Sequence, residues 1–126
     1  MEDDQDETVA AVREVVAAHG WAVKGVGPNI AYTVGLTEAG LPELVLIGVR
    51  VEVAARVLND LARRSLEAEL TPELLYAVGE FRRPVGVRAV PMDVARRVLR
   101  YATALYGDRW RVWEVVPGLT DEPPTV

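Results

Sequence analysis

The stretch 31–48, AYTVGLTEAGLPELVLIG, constrains this chain most, because it sets four consecutive apolar residues, Leu44 to Ile47, behind a connection carrying Gly40 and Pro42. An unbroken apolar run of that length suits a strand covered on both faces and hence central in a sheet, since a half-exposed strand would alternate. The residues ahead of it do alternate. Ile30, Tyr32, Val34 and Leu36 would share one face, while the smaller Ala31, Thr33 and Gly35 would share the other. A face of small residues lets a helix or a ligand approach closely. Two such strands must be completed by further strands and by helices that cover them.

The rest of the chain supplies those elements. Val9, Val12, Val15 and Val16 recur at helical spacing and predict a helix over 7–18, with acidic residues at its positive end and His19 and Gly20 as stop signals. Residues 21–26 read as a strand, and the turn cluster Gly27-Pro28-Asn29 joins it to a second strand over 30–36 as a hairpin. The apolar strand follows over 43–49. A second helix is predicted over 51–67, with Val53, Val57, Leu58, Leu61 and Leu66 inward and a ladder of i,i+4 charge pairs outward, Asp60 with Arg64 among them. Two more strand candidates, 75–81 and 85–91, flank the basic turn Arg82-Arg83-Pro84. A third helix over 92–106 would bury Val94, Val98, Tyr101, Ala102 and Leu105 and end at Gly107, ahead of a last strand over 110–116.

The order α-β-β-β-α-β-β-α-β, rich in hairpins, predicts an α+β fold: a mainly antiparallel or mixed sheet of about five to six strands with three helices packed on it. A length of 126 residues suits one domain. Its expected extent is 7–116, between an acidic disordered N-terminus over 1–6 and a flexible Pro-rich tail over 117–126.

Charge bears on partners. The formal net charge is −5, but Glu2, Asp3, Asp4, Asp6, Glu7, Asp121 and Glu122 lie at the two ends, leaving twelve acidic against fourteen basic residues in between. Acidic ends repel nucleic acid, so nucleic acid is not an expected partner. No apolar run is long enough to span a bilayer, and the acidic start is unlike a secretory leader. With no cysteine in the chain, disulfides and thiolate chemistry are absent, and a cytoplasmic location is expected.

No strong catalytic motif is present. Gly25-Val26-Gly27 lacks the third glycine and the helix of a dinucleotide loop, Ser65 is the only serine and lies mid-helix, and one histidine without cysteine makes a standard zinc site improbable. No metal and no cofactor are expected. The candidate ligand-binding residues are His19, Tyr32, Thr33 and Glu43. His19 titrates near neutrality but would also serve a helix end. Tyr32 and Thr33 offer hydroxyls beside the small face, although core packing of Tyr32 and strand propensity of Thr33 are the favoured account of them. Glu43 would act as a base or hydrogen-bond acceptor if desolvated, whereas a charge at the start of a strand is ordinarily solvated. Arg96, Arg97 and Arg100 fall within one helical turn and form a candidate anion or partner patch, which Arg82, Arg83 and Arg88 would extend.

His19-Gly20-Trp21-Ala22-Val23, Ala31 to Thr37 (AYTVGLT), Leu41 to Val45 (LPELV) and Leu58-Asn59-Asp60-Leu61 resemble a bacterial family known as domain of unknown function 4262. The resemblance runs in outline from His19 to Val116. It implies a small stand-alone bacterial domain with no established activity. Members commonly carry a histidine before the Pro-Glu pair, where this chain has Leu41, and that departure removes a partner for His19 or Glu43. The expected function is therefore a non-catalytic binding or self-associating interaction module, with another copy or another protein as the candidate partner. The alternative is a small-ligand-binding protein or enzyme with a pocket near Tyr32, Thr33 and Glu43, for an anionic or phosphate-bearing ligand.

Overall fold

The computed structural model describes residues 2–79, 81, 84–91, 93, 99–107 and 109–117, and of residues 2–8, 100, 101 and 117 it describes the backbone. In chain order the elements are α1 (Glu2–His19), β1 (Ala22–Gly25), β2 (Ile30–Val34), a 3-10 turn (Leu36–Ala39), β3 (Glu43–Ile47), α2 (Val51–Glu67), β4 (Val85–Ala89), α3 (Arg100–Tyr106) and β5 (Val112–Pro117). The helix α1 begins at Glu2 rather than near Glu7. The third helix begins at Arg100 rather than near Met92, because the backbone of Leu99 just ahead of it, at φ −93° and ψ 70°, is not helical. Residues 92 and 94–98 lie outside the described set, as do the tail residues 118–126.

The five strands form one mixed sheet in the order β1-β2-β3-β5-β4. Three neighbouring pairs are antiparallel, and β3 with β5 is parallel. The α+β architecture with three helices is the one that the pattern predicts, and the apolar run does occupy the middle strand. Leu44, Val45 and Leu46 are almost completely buried, whereas Ile47 is 47% exposed at the strand's end.

The predicted strand over 75–81 does not form. Tyr76 makes a single antiparallel bridge to Val85, its N–H and C=O each paired with Val85 at 2.8 Å. The neighbouring groups are held by other elements: the Arg64 guanidinium of α2 donates to the Ala77 carbonyl at 2.6 Å, and Val78 drops into the core. A segment pinned residue by residue in different directions cannot run alongside a neighbouring strand.

Helices cover both sheet faces. On one side α2 buries Ala54, Val57, Leu58, Leu61 and Ala62 against Ala31, Leu44, Leu46, Val85, Val87 and Val115. Each fully buried Val or Leu there contributes roughly 1.5–3 kcal/mol. The inward stripe of α2 lies slightly rotated from its predicted position. Ser65 is buried and donates to the Ala62 carbonyl at 2.8 Å, leaving Leu66 45% exposed. On the other face Val12 and Val16 of α1 join Ala102 of α3 over Tyr32, Val34, Val45 and Val112. Among the described residues no helix is long and apolar enough to cross a membrane.

Candidate functional site

The polar centre of the structure lies where β2 ends and β3 begins. The hairpin register Tyr32↔Val45 would bring Thr33 opposite Leu44, but there the Leu44 N–H donates to the Thr33 hydroxyl at 2.8 Å. Thr33 in turn donates to Glu43 Oε1 at 2.9 Å. Beyond it the chain bends at Gly35 into the 3-10 turn, and the first amides of that turn point inward without carbonyl partners of their own.

The Glu43 carboxylate satisfies them. The N–H groups of Gly35, Leu36 and Thr37 donate to it at 3.1, 3.2 and 2.8 Å, and the Thr37 hydroxyl donates at 2.6 Å. Together with Thr33, five donors converge on one side chain that is 0% exposed. Burial pushes the Glu43 carboxyl above its ordinary value, and the hydrogen bonds from Thr37, Thr33 and Gly35 work against that shift. Chemically, this carboxylate is an internal cap for a buried turn. All its contacts are donors from its own chain, so it has no open approach for a substrate proton.

Gly35 makes the arrangement possible. Its φ of 125° lies in a region that side chains rarely adopt, and a Cβ there would stand 2.7 Å from the Gly20 carbonyl oxygen and 2.9 Å from the Trp21 Cα. The close approach predicted for the small-residue face is thus made by this chain's own backbone. Ala31, farther along that face, packs under α2.

Of the four predicted ligand-binding residues, the fold brings only Thr33 and Glu43 together. Tyr32 is 1% exposed in the apolar layer beneath α1. His19 ends α1 at the surface, in a separate groove with Val15, Trp21 and Asn59. Leu41 packs partly buried against the core. Arg96 and Arg97 lie outside the described residues, as does the Arg100 side chain. Arg88 is engaged, pairing with Glu114 across β4 and β5 at 2.9 Å. Among the described residues no group of three or more histidine, aspartate or glutamate side chains is placed to hold a metal ion.

An open cleft adjoins the polar centre, built from residues that periodicity does not single out. Its larger lobe, about 500 Å³, lies between α1 and the end of α3 and is lined by Arg13, Val16, Glu38, Leu105, Tyr106 and Arg109. A smaller lobe of about 300 Å³ shares Glu38, Tyr106 and Arg109 and reaches Thr37. The Tyr106 hydroxyl donates to Glu38 Oε2 at 2.7 Å and ties α3 to the 3-10 turn. Burial, the bond to Glu38 and the nearby Glu38 and Glu43 charges all hold this phenol well above its usual range. It remains a neutral hydroxyl at any ordinary pH. Among the described residues neither Arg13 nor Arg109 has an ion-pair partner. Sequence spacing offers no signal for this cleft beyond the aromatic Tyr106 just ahead of the helix-ending Gly107.

No curated protein and no solved structure matches the chain. One family model, described as a domain of unknown function (DUF4262), matches residues 15–120. That span takes in the end of α1, the helices α2 and α3, all five strands and the Glu43 cap, and on it the chain belongs to the DUF4262 family.

Proposed function

We propose that this protein is a non-catalytic binding module whose ligand meets it in the cleft between α1, the 3-10 turn and the end of α3. The observation that carries this reading is the division of polar groups between two neighbouring places. The buried carboxylate that was the best candidate base is saturated by five internal donors, whereas Arg13, Glu38 and Arg109 line the cleft and are exposed. A volume of about 500 Å³ with an apolar wall and a few convergent polar groups is within the range of small-molecule sites.

The test is an NMR shift map of the full chain against a panel of small organic acids, amines and neutral fragments. Perturbations gathered at Thr37, Glu38, Tyr106 and Arg109, and lost in Arg109→Glu, support the reading. Perturbations centred on Thr33 and Glu43 would favour the alternative pocket, and a panel that moves none of these resonances would count against a small-molecule site.

Self-association is a second reading, favoured by the apolar strip beside the edge strand β1. Val15 of α1 and Leu66 of α2 are 41% and 45% exposed there, and Val15, Trp21 and Val23 line one groove. β1 ends the sheet on that side, and an edge strand can pair with its own copy. Light scattering decides it: a dimer that Val15→Glu converts to monomer supports the reading, and a wild-type monomer at high concentration removes it.

A further inference from the structure

Resting on the cleft reading above, we propose that the ligand is a small apolar acid that carries a hydrogen-bond donor next to its acid group, the chemistry of a 2-hydroxy or 2-amino acid with an apolar side chain. Three features of the cleft converge on that class. Arg13 and Arg109 line the larger lobe without ion-pair partners among the described residues, and a guanidinium presents a fork of donors that matches a carboxylate. Glu38 and Tyr106 stand on the same wall with acceptor capacity to spare. Tyr106 spends its only proton on Glu38 Oε2, so the phenol oxygen faces the cleft as an acceptor, and Glu38 Oε1 accepts no hydrogen bond among the described residues. Val16 and Leu105 supply the apolar side of the lobe.

Cations and acceptors in one cleft discriminate in both directions. A simple anion satisfies the arginines but meets the Glu38 charge with nothing to offer it, and an amine alone satisfies Glu38 but is repelled by the arginines. A ligand holding both groups on adjacent atoms matches both walls, and its side chain can lie against Val16 and Leu105.

Two probes that differ by one hydroxyl test this: 3-phenyllactate and 3-phenylpropionate, titrated into the full chain by NMR. Phenyllactate is expected to bind about tenfold more tightly, the worth of one hydrogen bond to a charged acceptor. Glu38→Gln should shrink that ratio towards one while acid binding persists, and Arg109→Ala should weaken both probes at least tenfold. All the substituted side chains are exposed, and unchanged melting temperatures will show that the variants fold; Arg13→Gln provides a second cation variant. Equal affinities with the same Arg109 dependence would overturn the ligand class while leaving the cleft as the binding site. Absence of binding by either probe, or binding indifferent to both arginine substitutions, would overturn the ligand class, and the second of these would also remove the cleft reading.

Discussion

At the scale of single residues, Glu43 shows how little a side chain's type says about its role before its surroundings are known. A glutamate in front of an apolar strand is ordinarily solvated, yet here five donors enclose it and it is fully buried. Glu43→Ala would leave three backbone N–H groups and two hydroxyls without their acceptor. We expect it to cost about 3 kcal/mol or more, read from a chemical denaturation midpoint. The same residue sets a pH dependence. Its folded carboxyl is held above the ordinary 4.5, so above that pH the folded state binds more protons than the unfolded state, and stability falls as pH rises through the interval. The melting temperature of the wild type relative to Glu43→Gln should therefore decline as pH rises above 4.5. A difference that grows over that range would show that hydrogen bonding outweighs burial.

Among elements, the tight turn after β2 and the anchored segment after α2 depend on contacts that their own sequences do not announce. Gly35 combines a positive φ with a backbone approach that leaves no room for a Cβ. Gly35→Ala is expected to destabilise by about 3 kcal/mol, through strain and displacement of the Gly20–Trp21 backbone, and calorimetry would register it. The segment between α2 and β4 is tied by Arg64, which holds Asp60 at 3.0 Å and the Ala77 carbonyl at 2.6 Å. In Arg64→Ala, amide exchange at Tyr76 and Val85 should accelerate at least tenfold, with little change in the middle strands. A uniform acceleration would place Arg64 in the global stability instead.

For the whole molecule, one sheet carries two apolar layers of unequal character. The α2 side joins every strand except β1 through fully buried aliphatic residues, with Trp21 and Val23 at its margin. Leu61→Ala, at a fully buried site in this layer, should cost about 3 kcal/mol in global unfolding. Much of this layout was legible in the residues: the valine spacing of α1, the stripe of α2 and the unbroken Leu44 to Leu46 run each identify an element, because burial imposes periodicity on any strand or helix. Val12, Val16, Val57, Leu58 and Leu61 fall on the buried side of their helices, whereas Val15 and Leu66 are exposed. The segment 75–81 was not legible, since Tyr76, Ala77 and Val78 are held by three different partners rather than by one repeating interaction. The site was less legible still. Thr33 and Glu43 stood out as polar residues beside the apolar run, but Thr37, Glu38, Tyr106, Arg109 and Arg13 come from distant parts of the chain. Local sequence therefore determined the elements, their faces and the central strand. Only tertiary packing decided that Glu43 would serve as an internal cap and that an open, charged cleft would form beside it, because both depend on which chain ends meet in space.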